Sequence, residues 1–362
     1  MKRNTGQNVK NRRSFLRGSL AVGAAVAGTG VLSGHDFSDD NQGHRQLTRG
    51  DIAILRFVAA AELIETDLWQ QYAELAGVTA PANPYQAAFE NLDGDAAQYI
   101  TSNTLDEASH AQFLNAYLIS VGAEPVNFDQ FRTLPSSQAT GAQQTGRLTN
   151  LTQLTVDTSW YTRYRSTTNP DFGATFAQAL PDLAAGQFTA IPKTNADLES
   201  ANHIQVIANT AAFHFGMIEQ GGSSLYATLG LKATSAEVLR IMFSIGGDEV
   251  AHFLEWVDFA GNGVSTPVAP VTDPSNGLTF PDFNATPNPL LETNLIFPVP
   301  CEFISPNLPH CAVIRPTGPG QIDALGAAHA LINNGLFTGQ SPAFTQKLLE
   351  MADAADAAER DV

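Results

Sequence analysis

The chain has 362 residues, 43% of them hydrophobic and 15% charged, and its 36 acidic side chains outnumber 19 Lys and Arg for a net charge of −17. That composition excludes a disordered chain and supplies enough apolar residues for one large core or two. The acidic balance argues against nucleic acid and anionic membrane surfaces as partners, since both are bound through patches rich in Lys and Arg.

The N-terminus is the basic exception. Asn11-Arg12-Arg13-Ser14-Phe15-Leu16-Arg17 precedes an apolar run, rich in Ala and Gly, from Leu20 to Leu32. Paired arginines ahead of such a run form the pattern of a twin-arginine export signal. The run is shorter than the ~18 residues of a spanning helix. The reading is therefore a signal peptide over 1–34, cleaved between Ala27 and Gly34, and a periplasmic or secreted protein with no transmembrane segment. Six of the 19 basic residues and none of the acidic ones lie in 1–34, which leaves the remainder at −23.

A first helix is expected over 48–76. Its apolar stripe runs Leu55, Val58, Glu62, Glu65, Trp69, Tyr72 and Ala76, in alternating steps of three and four, so two carboxylates share the face meant for the core. Gly77 and Pro81 end it. After a connection with a short helix around 85–92, a second helix is expected over 95–121. Its stripe is Ile100, Thr104, Glu107, His110, Leu114, Leu118 and Val121, and Gly122 and Pro125 stop it. Residues 123–197 are rich in Pro, Thr, Gln and Asn, with one apolar helical stretch near 148–165. That is a long insertion for a compact domain.

The third helix, over 196–229, carries Ala208, Ala212, Phe215, Glu219, Gly222, Tyr226 and Leu229, and Gly221-Gly222 is expected to weaken or kink it. The fourth, over 234–259, carries Val238, Met242, Ile245, Glu249, His252, Trp256 and Phe259. The short turn between them makes them antiparallel neighbours. Residues 262–320 read as loop-rich. They hold the only two cysteines, Cys301 and Cys311, expected to form a disulfide in an oxidising compartment. Two helices follow, over 321–333 and 341–359.

Chemistry concentrates in a repeat. Asp106-Glu107-Ala108-Ser109-His110 and Asp248-Glu249-Val250-Ala251-His252 are both Asp-Glu-x-x-His. A Glu and a His three apart lie on one helical face. Each segment follows a helix with an in-stripe Glu, Glu62 or Glu219, and each of those is followed seven residues later by an aromatic, Trp69 or Tyr226. The order Glu, Glu-x-x-His, Glu, Glu-x-x-His supplies four carboxylates and two imidazoles to one interior, the ligand set of di-metal helical bundles. Burying four carboxylates without cations is very unfavourable. Two Fe or Mn ions suit these donors, and Zn also fits. The candidate ligands are Glu62, Glu107, His110, Glu219, Glu249 and His252. Glu65 is an alternative to Glu62. Asp106 and Asp248 point about 100° off the inner face; they either accept from a histidine on a neighbouring helix or sit on the surface. His203 and His214 read as structural, and Trp69, Tyr226 and Trp256 as packing around the site or as electron carriers.

This arrangement, over residues 50–260, resembles the ferritin-like superfamily, and within it the exported, desiccation-related ferritin-like proteins. The resemblance implies an all-α fold: a four-helix bundle over 48–261 with a long crossover insertion between helices two and three, and a loop-rich extension over 262–362. It implies a di-iron or di-manganese site and fixes no reaction, so the catalytic residues stay unassigned. The insertion and extension depart from compact ferritins and argue against a cage, while leaving smaller oligomers open. Two functions compete: a di-metal oxidoreductase acting on dioxygen or peroxide, and a non-catalytic envelope protein of desiccation stress that uses the bundle as a scaffold.

Overall fold

The computed structural model describes residues 47–163, 177–264, 271–281, 298–299, 307, 311–312 and 322–360. The export signal expected over 1–34 and the disulfide expected between Cys301 and Cys311 fall outside what is described. Among the described residues the fold is all-α apart from two short antiparallel strand pairs, Val271–Thr272 with Thr279–Phe280 and Pro298–Val299 with Cys311–Ala312. No helix among the described residues is long and apolar enough to cross a membrane.

Four long helices dominate: α1 (Arg49–Ala76), α3 (Ala96–Ser120), α6 (Ala201–Gly230) and α7 (Ala236–Val264). Shorter ones fill in between and after them: α2 (Pro84–Glu90), α4 (Ser159–Arg163), α5 (Pro181–Ala185), α8 (Ala324–Asn333) and α9 (Pro342–Asp356). The most extensive packing joins α1 to α3 and α6 to α7. The second pair is antiparallel, as its short turn requires: Gly222 faces Glu249, Gly246 faces Tyr226 and Gly230 faces Met242.

Helix starts follow their caps. Thr48 and Asp51 form a reciprocal capping box at α1, with Asp51 N donating to Thr48 Oγ1 at 3.0 Å and Thr48 N to Asp51 Oδ2 at 3.2 Å. The other oxygen of Asp51 accepts from Thr234 N at 2.9 Å and Ser235 N at 3.2 Å. One carboxylate thereby caps α1 and pins the α6–α7 turn against it. At the C-terminal end, Asp356 accepts from Ala324 N and Leu325 N at 3.0 and 2.8 Å, satisfying the first amides of α8 from the last residue of α9. The helices α8 and α9 pack on each other, and α9 packs on α1.

Three expectations are corrected. The sequence suggests that α6 is amphipathic, but it is buried continuously from Ile204 to Gln220. Its outer faces are covered by α2 and by Trp160, whose indole N–H donates to Phe213 O at 3.2 Å. The helix expected over 148–165 shrinks to Ser159–Arg163. Upstream of it the backbone amides are already committed elsewhere: Leu148 N and Thr149 N to Asp67, Asn150 N to Leu336 O, Leu154 N to Phe188 O and Thr155 N to Asn334 O. An amide so used cannot close a helical turn. Third, the stripe of α3 ends one step early, since the helix stops at Ser120 and Val121 is exposed. Gly221-Gly222 does not interrupt α6, which continues to Gly230.

The insertion hangs on Asp67 of α1, which is fully buried. Its Oδ2 accepts from Leu148 N (3.0 Å), Thr149 N (2.9 Å) and Thr149 Oγ1 (2.7 Å), while Oδ1 accepts from an Arg132 guanidinium nitrogen at 2.6 Å. We expect Asp67→Ala to strand two buried amides and to take from Arg132 its 2.6 Å partner, at a cost of about 3–5 kcal/mol, read as a lowered denaturant midpoint. An unchanged midpoint would show that the insertion is held by apolar packing alone.

Candidate metal centre

The four long helices each bring side chains to one interior point. Glu62 comes from α1, Glu107 and His110 from α3, Glu219 from α6, and Glu249 and His252 from α7; the four carboxylates are fully buried and both imidazoles nearly so. Each His turns Nδ1 inward. His110 Nδ1 lies 3.3 Å from Glu62 Oε2, 3.3 Å from Glu107 Oε2 and 3.7 Å from Glu249 Oε1. His252 Nδ1 lies 3.1 Å from Glu107 Oε1 and 3.4 Å from Glu219 Oε2. Three groups with metal-ligand spacing result: Glu62–Glu107–His110–Glu249 and Glu107–Glu219–His252 in the buried interior, and Asp106–Asp248–His252 at the more exposed end. Glu107 belongs to both interior groups, one oxygen to each.

All six residues singled out in the sequence are thus brought together. Glu65 is not among them. It is one turn further along α1, half-buried, and lines a neighbouring cavity.

The surroundings hold these ligands in place by reciprocal exchange. Tyr226 of α6 donates its hydroxyl to Glu62 Oε1 on α1, and Trp69 of α1 donates its indole N–H to Glu219 Oε1 on α6 at 3.0 Å. The seven-residue offset from Glu to aromatic, two helical turns, is what makes this crossing possible. The aspartates exchange in the same way. Asp248 Oδ2 lies 3.2 Å from His110 Nε2, and Asp106 Oδ2 lies 3.4 Å from His252 Nε2. Each Asp of one motif therefore fixes the ring of the other motif's His, which settles the alternative left open by the sequence. Both aspartate side chains are more than 40% exposed, so this end of the site is the one nearest solvent. At the other end Trp69 stacks on Phe215 and Trp256, with centroids 4.7 and 5.3 Å away.

Two contributors escape a sequence reading. Asn103 accepts from Trp256 Nε1 at 2.6 Å and donates to Glu255 Oε2 at 3.1 Å, and its only signal was one helical turn of separation from Glu107. Gly222 is the other. A Cβ there would stand 2.0 Å from Glu249 Oε2, so the glycine is the notch that admits that carboxylate. It lies on the stripe, but nothing in sequence distinguishes a notch from a weak point.

The inward atoms lack partners. Glu62 Oε2, Glu107 Oε1, Glu219 Oε2, both oxygens of Glu249 and His252 Nδ1 are buried without a hydrogen bond. One Nδ1–H cannot serve the three carboxylates that face His110. Protons are the remaining means of neutralisation. Burial, with repulsion from Glu62, pushes the Glu107 carboxyl up to about 8. Burial, with repulsion from Glu107, also raises Glu249 and Glu65 well above the carboxylate range. Burial works against a charged His110, but the carboxylates of Asp248, Glu107 and Glu62 around its ring outweigh that and push it up to about 12. This donor set can hold metal ions: it is anionic, converging, and short of hydrogen-bond donors at the atoms that face inward.

No protein-family model, curated protein or solved structure matches the chain. The case for a metal centre therefore rests on the geometry alone.

Two outcomes follow. Gly222→Ala should drive Glu249 out of the cluster and lower bound metal at least tenfold while leaving helical content intact, measured by elemental analysis and circular dichroism. Metal-free protein should lose thermal stability with rising pH. The raised Glu107 carboxyl favours the folded state below its ordinary 4.5, and that contribution is lost as pH rises through about 8. The raised His110 acts in the same direction, with its contribution present below 6.5 and lost as pH rises towards about 12. Metal-loaded protein should show the opposite slope across the carboxylate range, because ions displace those protons. Melting temperatures with and without chelator check the sign.

Proposed function

We propose that the chain is a ferritin-like di-metal carboxylate protein, exported through its twin-arginine segment, that works on dioxygen or peroxide. The observation that carries this reading is the set of unpartnered inward oxygens on four helices, shared through Glu107. Glu62, Glu107, His110 and Glu249 would hold one ion, and Glu107, Glu219 and His252 the other. Iron or manganese fits a mixed carboxylate and imidazole set best, with zinc as the redox-inactive alternative. A bound iron or manganese pair would supply one-electron steps at each ion.

The chain's own residues supply the rest. Asp248 and Asp106 keep both imidazoles turned with Nδ1 inward, a type of support whose removal typically weakens metal binding 10–100-fold. Tyr226 and Trp69 each occupy one oxygen of Glu62 and Glu219, which leaves the other oxygen of each free for an ion. The aromatic wall of Trp69, Phe215 and Trp256 keeps water from one end. Export in a folded state suits a protein whose metal is chosen before it leaves the cytoplasm.

The test is elemental analysis of purified protein after reconstitution. Wild type should bind about two ions per chain, the count that the ligand set of such bundles implies. Glu107→Gln should lose both ions together, because one residue serves both groups. Asp248→Asn should still bind, but more weakly. Absence of Fe, Mn and Zn from wild type would refute the metal reading and favour the scaffold role.

A further inference from the structure

A cavity of about 50 Å³ lies beside the carboxylate cluster, between α1 and α6 and under the C-terminal helices. Its lining is almost wholly apolar and includes Ile64, Leu225, Leu331 and Leu348. The C-terminal helices, which carry no metal-like spacing, thus contribute to a space next to the site. Two residues touch both places and a third stands close by. Tyr226 lines the cavity and donates to Glu62. Gly222 lines it and backs directly onto Glu249 Oε2, which has no hydrogen-bond partner. Glu65 stands in its wall, one turn from Glu62, with its carboxyl held towards the neutral form by burial and by Glu107.

A water needs about 10–15 Å³ of such space and two to four polar partners. The volume suffices for more than one water, but the partners are scarce. Tyr226 spends its hydroxyl hydrogen on Glu62 and the Asn334 amide donates to Met217 Sδ at 3.5 Å, which leaves the Glu65 carboxyl and the Asn334 carbonyl as the polar atoms of an otherwise apolar wall. Apolar cavities of this kind stay dry and take up small apolar guests. We propose that this cavity is a binding site for a gas-sized apolar molecule, dioxygen being the one of consequence, held one glycine's thickness from Glu249. Its role in supplying the metal pair rests on the functional reading above. Its capacity for the guest does not.

The experiment uses metal-free and metal-loaded crystals of the mature protein under xenon pressure. Both should show a xenon peak between Ile64, Leu225 and Leu331. Ala61→Leu should abolish the peak at unchanged metal content, and in the metal-loaded protein should raise the KM for oxygen several-fold. Ala328→Val, a smaller insertion into the same space, repeats the test should the first variant not fold. Ordered waters filling the wild-type cavity, or no xenon in it, would overturn the proposal. Because the metal-free arm stands by itself, a protein that takes xenon but no metal refutes the metal reading alone, and one that takes metal but no xenon refutes the cavity site alone.

Discussion

Four glutamates packed into a dry helical interior cannot all stay ionised against one another, and the architecture around them is organised by that repulsion. A lone buried carboxylate takes up a proton rather than bear the cost of desolvated charge. Here Glu62, Glu107, Glu219 and Glu249 share an interior with two histidines. The carboxyl of Glu107 and the ring of His110 are both pushed towards their protonated forms. Two divalent ions would neutralise the same cluster without protons, through the oxygens that otherwise have no partner. The fold spends buried groups on arranging this. Tyr226, Trp69 and the two aspartates each satisfy an outer atom of a ligand and leave an inner one open.

The arrangement has an approximate two-fold character. One half is a Glu helix with an Asp-Glu-x-x-His helix, α1 with α3, and the other half is α6 with α7. Each half supplies the support for the other: Tyr226 to Glu62 and Trp69 to Glu219, Asp248 to His110 and Asp106 to His252. Neither half forms the site alone, which ties metal binding to assembly of the whole helical core. The symmetry is broken at two points. Glu107 spans both ligand groups whereas Glu249 joins only one. Gly222 provides a notch for Glu249, and no glycine among the described residues stands in the same way against Glu107.

The four long helices and the six clustered residues were legible because both depend on a local period. Residues three and four apart share a helical face, so the stripes that carry Glu62, Glu107, Glu219 and Glu249 mark the interior directly. Glu62 and Glu65 both fit the stripe, and only the seven-residue offset from Glu62 to Trp69, matching Glu219 and Tyr226, separated them in sequence. What was not legible depends on contacts distant in sequence. The continuous burial of α6 comes from Trp160 and from Tyr85 and Phe89 of α2, which no pattern within 201–230 records. The segment 148–158 has helical composition but irregular structure, because Asp67, Phe188, Asn334 and Leu336 take its amides. Asn103 is conspicuous only once Trp256 is seen against it.

Crystals of metal-reconstituted protein, with anomalous diffraction collected on both sides of the iron and manganese absorption edges, test the central claim most directly. The account requires two anomalous peaks inside the four long helices, both ligated by Glu107, with one beside His110 Nδ1 and the other beside His252 Nδ1. Ions found only at the exposed aspartates, or a cluster that stays metal-free with its carboxyls paired through protons, would contradict it.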